Sequence, residues 1–384
     1  MNSQEHKKHS VLARPSYGNF GRQEWAFLGT SCGTIKTLAD SIIAALSPIY
    51  ACGYVDAQHL KDQEEAILPA RLEAGALVEY TDQITYGQFS YKQSPNSFRF
   101  REMFSEVDMV LVNGNHQQAK AQVIILDENK RASLQKRVAQ LNNVQLILLT
   151  HSVTEVFDFV QQAVPGWQEL PTLKITDTTE IVSFFKKQLQ NATPVLNGLV
   201  LAGGKSVRMG QDKGAMAWHG KEQRYFVADM LQGFCQNVFI SCRPEQSASL
   251  SNTYRYLPDS FTDLGPYGAI LSAFREQPDA AWLVIACDLP LLDAKTLQHL
   301  IENRAVSATA TTFESPHDGF PEPLITIWEP KSYPVLLSFL AQGYTCPRKV
   351  LRNSPINLIK PINPEALLNV NTPQEAEEVK QKLG

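Results

Sequence analysis

Residues 199–213 join a short apolar strand to a glycine-rich loop, and this junction restricts the possible folds more than any other stretch of the chain. The strand Leu-Val-Leu-Ala runs directly into Gly-Gly-Lys-Ser-Val-Arg-Met-Gly-Gln-Asp-Lys. Three glycines allow positive φ and a close approach of backbone N–H groups to an anion: Gly203, Gly204 and Gly210. Arg208 can bind two phosphate oxygens at once and Lys213 adds a mobile charge, which together suit a triphosphate that loses pyrophosphate.

The loop differs from a Walker A motif, because no Gly-Lys-Ser/Thr follows its glycines. The pattern Leu-Ala-Gly-Gly-x-Ser-x-Arg-Met-Gly-x-Asp-Lys resembles the signature loop of the nucleotidyltransferases. Its Asp212-Lys213 ending most resembles the molybdenum cofactor guanylyltransferases of the MobA type. The resemblance implies that Leu201 and Ala202 face the nucleotide together with the glycines. Ser206 has no histidine nearby in the sequence, so we expect it to donate a hydrogen bond to phosphate and not to act as a nucleophile.

A second segment, residues 257–270, also resembles this family. It reads Leu-Pro-Asp-Ser and, five residues after the serine, Gly-Pro-Tyr-Gly-Ala-Ile. In the family such a segment ends a strand with an aspartate and opens a helix with a glycine-proline turn, which implies nucleotide contacts for Asp259 and Gly265. Ala269 stands where the family commonly has glycine.

Asp288 follows the apolar run 282–287, which is typical of a parallel strand buried on both faces. An acid at the carboxyl end of such a strand faces the ligand crevice. Mg²⁺ takes one or two carboxylates and completes its coordination with phosphate oxygens, so we predict Asp288 as the metal ligand. The alternative is that Asp288 caps a helix, with Pro290 in its first turn.

Three further residues are candidates for binding the acceptor substrate. Glu322-Pro-Leu and Asn-Val-Asn-Thr-Pro at 369–373 resemble segments of the guanylyltransferases, which implies pterin-side contacts for Glu322 and Asn371. Asn371 also begins a sequence that predicts a capped terminal helix, and both roles are compatible. Arg348 is a candidate for the acceptor's phosphate, although exposed cations are commonly only solvated.

The N-terminal half contains its own strand, loop and helix, which resemble a degenerate P-loop. Trp-Ala-Phe-Leu at 25–28 precedes Gly-Thr-Ser-Cys-Gly-Thr-Ile-Lys-Thr, and a helical pattern continues through Ala45. Strands predicted at 49–55, 107–112 and 145–150 follow in an order that resembles the MobB-type GTP-binding adaptors. In the register of that family the P-loop lysine falls on Ile35, and Asn113 replaces a carboxylate. We therefore expect no nucleotide hydrolysis here and favour a docking or cofactor-handling role, with Lys36 at most holding an anion.

A polar stretch at 188–194 separates the two halves, after a helical pattern that ends at Lys187. Each half alternates apolar runs with helical patterns, which is typical of α/β layering. We predict a P-loop-like α/β domain at 1–190. We predict a Rossmann-like nucleotidyltransferase domain, three-layered with a mostly parallel sheet, at 195–384.

Composition excludes several classes of protein. A formal net charge of −4 without a block of basic residues argues against a nucleic-acid surface. No apolar stretch approaches the length of a membrane span, and the polar start lacks an apolar region, so we expect a cytoplasmic protein. Six scattered cysteines form no Cys-x-x-Cys pair, which argues against a zinc site or a disulfide framework.

The resemblance to the guanylyltransferases implies magnesium-dependent transfer of GMP from GTP to the terminal phosphate of molybdopterin. Two alternatives remain open: a CTP-dependent cytidylyltransferase, and a non-catalytic scaffold that holds nucleotide or pterin for molybdoenzyme maturation. Arg208, Lys213 and Asp288 argue against the scaffold, because a module that only binds would not need a metal ligand at the α-phosphate. Molybdoenzymes or cofactor-assembly proteins are the expected protein partners.

Overall fold

A computed structural model describes residues 18–57, 68–203 and 213–383. The described chain forms two compact units. The first unit comprises residues 23–186, and the second comprises Gly18–Arg22 together with the residues from Lys187 onward. The division falls within a helix that continues to Asn191, beyond the predicted helix end at Lys187.

The first unit contains eight strands and six helices within its described residues. They are β1 (Gln23–Leu28), α1 (Cys32–Leu46), β2 (Cys52–Val55), α2 (Ala70–Glu73), β3 (Val78–Asp82), β4 (Gly87–Tyr91), α3 (Ser97–Met103), β5 (Met109–Asn113), β6 (Ala121–Leu126), α4 (Arg131–Lys136), β7 (Val144–Leu149), α5 (Asp158–Ala163), β8 (Thr172–Lys174) and α6 (Thr178–Asn191).

Six of these strands form a parallel sheet in the order β2-β5-β1-β6-β7-β8. Strand β6 reads Ala-Gln-Val-Ile-Ile-Leu and is buried along its whole length, as expected for a central parallel strand. Neither β6 nor the separate β3–β4 hairpin was predicted from the sequence patterns. Strand β2 begins at Cys52 and not at the predicted residue 49, because the N–H groups of Ile49 and Tyr50 donate to the carbonyl of Leu46 in a turn that ends α1.

The second unit contains seven strands and six helices within its described residues. They are β9 (Leu196–Leu201), α7 (Gln223–Gln232), β10 (Val238–Cys242), β11 (Arg255–Pro258), α8 (Pro266–Glu276), β12 (Ala281–Ala286), α9 (Ala294–Glu302), β13 (Ala310–Glu314), β14 (Pro321–Trp328), α10 (Ser332–Ala341), α11 (Pro347–Arg352), β15 (Ile356–Ile359) and α12 (Pro373–Leu383).

Its sheet has the order β11-β10-β9-β12-β14-β13-β15, and only β14 runs antiparallel to its neighbours. Side chains of β12 alternate between two cores, because successive residues of a strand point to opposite faces. Leu283 and Ile285 pack in a cluster with α7 and α9, whereas Trp282 and Val284 pack in one with α8, α10 and α11. This three-layer arrangement confirms the predicted α/β class with a mostly parallel sheet.

No helix among residues 18–57, 68–203 and 213–383 is both long enough and apolar enough to cross a lipid bilayer.

Candidate active site

A cavity of about 250 Å³ lies in the second unit at the carboxyl ends of β9, β10, β11 and β12. These four strands are parallel, so the loops that follow them meet at one edge of the sheet. The cavity is lined by Leu201, Ala202, Gly203, Lys213, Gly214, Ser241, Asp259, Gly265, Pro266, Ala269, Ala286, Cys287, Asp288 and Leu324.

The glycine-rich loop borders this cavity at both of its described ends. Leu201 is the last residue of β9, and Ala202 and Gly203 continue along the cavity wall. The chain is described again from Lys213. Four predicted contacts lie outside the described residues: Gly204, Ser206, Arg208 and Gly210.

Lys213 connects two predicted site residues that are far apart in the sequence. Its Nζ lies 3.5 Å from Oδ2 of Asp288 and donates to Oδ1 of Asn371 at 2.7 Å. Asn371 also precedes α12, where Thr372 and Glu375 cap the helix reciprocally through their side chains. Lys213, which is predicted to bind the nucleotide, therefore contacts two other predicted site residues. These are Asp288, predicted to bind the metal, and Asn371, predicted to bind the acceptor.

Asp288 occupies the loop that leaves β12, with its two carboxyl oxygens in different surroundings. Oδ2 is close to Lys213, whereas Oδ1 is buried and has no hydrogen-bond partner within the described part of the chain. Burial raises the pKa of Asp288, although the charge and hydrogen bond of Lys213 oppose that rise. A buried carboxylate oxygen without a donor is costly in the absence of a ligand.

This surrounding fits Mg²⁺, which needs few protein ligands. The described residues contain no group of three or more His, Cys, Asp or Glu side chains that could hold a metal. Mg²⁺ commonly takes one or two carboxylates and completes its octahedron with phosphate oxygens and water. Oδ1 of Asp288, which has no hydrogen-bond partner among the described residues, could supply one such ligand beside the cavity.

Three hydrogen bonds hold the backbone of the Asp288 loop. The N–H of Val370 donates to the carbonyl of Asp288 at 2.9 Å. The side-chain amide of the fully buried Gln223 donates to the carbonyl of Leu289 at 3.2 Å. Nε2 of His219 lies 2.9 Å from the carbonyl of Pro290. No local sequence pattern marks Gln223 or His219 as site residues, because their partners lie 66 and 71 residues away.

Asp259 lies across the cavity, directly after β11. Its Oδ1 accepts a hydrogen bond from the Ser241 hydroxyl at 2.8 Å, and burial raises its pKa to about 6. A Cβ added to Gly203 would lie 3.5 Å from Oδ2 of Asp259, which is an ordinary contact. Packing within the protein therefore does not require glycine at 203, whereas a ligand drawn close to the backbone would. Sequence reasoning did not identify Ser241.

The start of α8 forms another wall of the cavity. Gly265 has φ of +56° and ψ of −139° immediately before the helix, a conformation that favours glycine. Pro266 and Ala269 continue the wall along the first turn. The positive end of the helix dipole therefore faces the cavity and favours negative charge there.

Glu322 and Arg348, the other two residues predicted to contact the acceptor, pair with each other, whereas Asn371 pairs with Lys213. Arg348 donates to Oε2 of Glu322 at 3.3 Å and to Oδ2 of Asp318 at 2.9 Å. Glu322 is buried and lies on β14, two residues before Leu324, which lines the cavity. Neither Glu322 nor Arg348 is among the residues that line it.

In the first unit, the segment that resembles a degenerate P-loop forms a short turn and the start of a helix. Helix α1 begins at Cys32, and the Ser31 hydroxyl accepts the N–H of Thr34 that a bound phosphate would need. Ile35 is fully buried beneath this turn. Lys36 lies 3.5 Å from Oδ2 of Asp56, whose other oxygen accepts from the Asn113 amide at 2.7 Å.

Comparison with known proteins identifies relatives of this chain. A family model described as the MobA-like NTP transferase domain matches residues 198–358. A probable molybdenum cofactor guanylyltransferase from Nostoc sp. is 31% identical over 184 residues, which cover 47% of this chain and 88% of that protein. A molybdenum cofactor biosynthesis bifunctional protein from Synechocystis sp. is 36% identical over 182 residues, which cover 47% of this chain and 52% of that protein. The chain thus spans about half the length of this bifunctional relative.

The N-terminal half has a structural neighbour in the MobB protein homolog from Bacillus stearothermophilus. The two share 16% sequence identity at a TM-score of 0.32, over 44% of this chain and 98% of the homolog. A likeness at this level carries no conclusion about activity. The relatives above are sufficient for the assignment: the chain belongs to the family of molybdenum cofactor guanylyltransferases, and its second unit is a MobA-like nucleotidyltransferase domain.

Proposed function

We propose that the second unit transfers GMP from GTP to the terminal phosphate of molybdopterin and releases pyrophosphate. The observation that carries the proposal is that Lys213 contacts both Asp288 and Asn371 beside a cavity lined by the two described ends of the glycine-rich loop. A cation suits a phosphate chain, and a carboxylate with one oxygen that has no hydrogen-bond partner among the described residues suits its magnesium ion. One relative is named as a probable molybdenum cofactor guanylyltransferase, which agrees with GMP transfer.

The residues of this chain would act by holding and neutralising the reacting phosphates. Asp288 would hold Mg²⁺ through its buried Oδ1, and the ion would supply charge neutralisation at the phosphates. When the nucleotide binds, Lys213 would contact the phosphate chain in place of part of its contact with Asp288 and Asn371. Its Nζ already lies close to the side-chain oxygens of both residues. The backbone at Gly203 and the start of α8 would hold the remainder of the nucleotide.

The proposed reaction needs no general base. The acceptor phosphate is already an anion, so it can attack the α-phosphorus of GTP in line while pyrophosphate leaves. Catalysis then depends on positioning and charge neutralisation. Asn371 would contact the acceptor, since its Oδ1 accepts a 2.7 Å hydrogen bond from Lys213, which also lies beside Asp288.

Asp259 favours GTP over CTP as the nucleotide. The Watson–Crick edge of guanine presents two adjacent N–H donors, which a carboxylate can accept together, whereas cytosine presents one. Oδ2 of Asp259 lies near Gly203 at the cavity wall, and Oδ1 is held by Ser241. Asp259 would therefore read the base, and this contact distinguishes the proposed guanylyltransferase from a cytidylyltransferase.

The test is a nucleotide screen with the purified full chain. The chain is incubated with Mg²⁺, molybdopterin and each of ATP, CTP, GTP and UTP, and pyrophosphate release is measured. We expect pyrophosphate release with GTP and not with ATP, CTP or UTP, and only when molybdopterin is present. Release with CTP would support the cytidylyltransferase instead. GTP binding without release from any nucleotide would support a non-catalytic scaffold.

We further propose that the protein works in a reducing compartment such as the cytoplasm and passes its product to molybdoenzymes or their assembly proteins. No disulfide joins any of the six cysteines, all of which lie in the described ranges, as expected where thiols stay reduced.

A further inference from the structure

A cysteine and a histidine meet in the first unit, far in sequence from the nucleotidyltransferase site. Sγ of Cys32 lies 3.3 Å from Nε2 of His116. The side-chain amide of Asn115 lies 3.7 Å from the same sulfur and also donates to the carbonyl of Thr30 at 2.9 Å. The imidazole of His116 and the side-chain amide of Asn115 therefore both contact the thiol of Cys32.

The sheet brings these groups together. Cys32 begins α1 after β1, and residues 113–116 follow β5, which is the parallel neighbour of β1. Both loops leave the carboxyl edge of the sheet, which is where open α/β sheets bind ligands. Asn115 is fixed from behind by Arg137, which donates to its Oδ1 at 2.8 Å.

The surroundings of Cys32 favour the thiolate over the thiol. Burial alone would raise the pKa of Cys32, but hydrogen bonds from Asn113, His116 and Asn115 outweigh it, and the pKa lies below its usual value. Cys32 also occupies the first turn of the 15-residue helix α1, where the helix dipole stabilises an anion.

Cys32 is only half-buried. Beside it, among the described residues, a Cβ added to Gly33 would meet only the Ser31 hydroxyl, at 3.9 Å. The described part of the chain therefore leaves the first turn of α1 uncrowded next to Cys32.

The other cysteines offer a comparison within the same chain. Burial raises the pKa of Cys52 to about 11, of Cys235 to about 12 and of Cys242 to about 11. Cys346 is exposed but has no histidine among its hydrogen-bond partners in the described structure. Exposure by itself would make Cys346 the faster-reacting thiol.

We propose that Cys32 and His116 form a reactive-thiol site, at which Cys32 exchanges with small-molecule disulfides to form a mixed disulfide. The Cys32 thiolate attacks one sulfur of the reagent, a new S–S bond forms, and the S–S bond of the reagent breaks. The other half of the reagent leaves as a thiolate and takes up the proton that His116 received from Cys32. Cys32 is oxidised to the disulfide level and half of the reagent is reduced, so no further oxidant is needed.

The test uses the full chain and oxidised glutathione at neutral pH. The reaction is quenched with acid at timed intervals, remaining thiols are blocked with N-ethylmaleimide, and each cysteine is quantified by peptide mass spectrometry. We expect glutathione to appear on Cys32 at least about tenfold faster than on Cys346. In His116→Gln, which keeps a polar side chain but removes the base, we expect the Cys32 rate to fall about tenfold.

The rate at Cys346 serves as the internal control and should be the same in both proteins. If circular dichroism shows that His116→Gln alters the fold, His116→Asn takes its place. Modification of Cys346 as fast as Cys32, or an unchanged Cys32 rate in the folded histidine variant, would overturn the proposal. Neither readout depends on pyrophosphate release, so the result is independent of the proposed transferase activity.

Discussion

Asp288 and Asp259 are carboxyl groups of the same cavity, but their surroundings suit them to different roles. Asp288 combines an oxygen near a lysine with a buried oxygen that has no donor among the described residues, so it suits a cation. Asp259 combines a raised pKa with a hydroxyl partner, Ser241, so it is prepared to accept a hydrogen bond from a neutral ligand group. Both aspartates follow parallel strands of one sheet. The difference between their proposed roles therefore comes from the side chains that face each carboxyl group.

The role of Asp288 is tested by Asp288→Asn, which keeps the shape of the side chain and removes its charge. We expect pyrophosphate release to fall at least about 100-fold, comparable with the loss of one preorganised electrostatic group. The thermal midpoint should not fall, because the variant removes a costly buried charge. Glu276→Gln, an exposed carboxylate at the end of α8, serves as the control and should turn over normally. Turnover of Asp288→Asn within twofold of wild type would remove this residue from the metal site.

The raised pKa of Asp259 predicts a dependence of stability on pH. Its folded pKa of about 6 exceeds the ordinary value of about 3.9, so the folded protein retains a proton there that the unfolded chain has lost. The contribution of Asp259 to stability therefore falls as pH rises from about 4 to about 6, and the loss is complete above about 6. The asparagine side chain of the Asp259→Asn variant cannot ionise, so this variant does not lose stability in that pH range.

The measurement is the thermal midpoint of the second unit in wild type and in Asp259→Asn, without nucleotide, at pH 4.5 and pH 7.5. We expect the variant's gain over wild type to be larger at pH 7.5. An equal difference at both pH values would show that Asp259 ionises normally.

At the scale of elements, α8 positions the loop that carries Asp259. The buried Ser272 hydroxyl on this helix accepts the N–H groups of Ser260 and Phe261, at 2.9 and 3.2 Å, and donates to the carbonyl of Gly268 at 2.7 Å. The loop therefore lies directly against the first turns of the helix, with no room for an additional atom at Gly268. Helix and loop form one rigid wall of the cavity.

This contact predicts that Gly268→Ala is destabilising. The added Cβ would lie 2.1 Å from the carbonyl oxygen of Phe261, so the backbone must move, at a cost of about 1–3 kcal/mol. The matched control is Gly233→Ala at the end of α7, where the Cβ would have an ordinary 3.6 Å contact and φ is −73°. Thermal unfolding should show a lower midpoint for Gly268→Ala only. Equal midpoints for the two variants would contradict the close packing described above.

At the scale of the whole molecule, the two units have similar α/β layering but opposite chemistry at their first strand–helix junctions. In the second unit the two described ends of the glycine-rich sequence, Gly203 and Lys213, line a cavity. In the first unit Ser31 caps α1 immediately, and Ile35 turns into the core. The two units therefore share α/β layering, whereas the ability to act on a nucleotide depends on the segment between the first strand and the first helix of each unit.

From this difference we predict that the full chain does not hydrolyse GTP to GDP and phosphate. Inorganic phosphate is measured with the Asp288→Asn variant and GTP, so that pyrophosphate from the transferase site does not contribute. We expect release at the rate of a protein-free control, because the capped helix start offers no phosphate cradle. Phosphate release above that rate would assign hydrolysis to the first unit and overturn the degenerate P-loop interpretation.

The sequence alone determined those features that consecutive residues specify. The strand and glycine loop at 199–213 identified the family, the apolar run at 282–287 identified a central strand, and the Thr372–Glu375 pair identified a helix start. Each depends on local φ preferences, local hydrogen bonds or an unbroken apolar run, all of which can be recognised within about fifteen residues.

Only the tertiary structure decided which segments lie beside each other. It joined Lys213 to Asn371 across 158 residues and placed Gln223 under the Asp288 loop. It also inserted the antiparallel β14 between β12 and β13. An apolar run specifies that a strand is buried but not which strand it pairs with, because pairing depends on the packing of the whole sheet and its helices. The polar contacts of the site inherit that dependence, since their partners come from loops that only the completed sheet brings to the same edge.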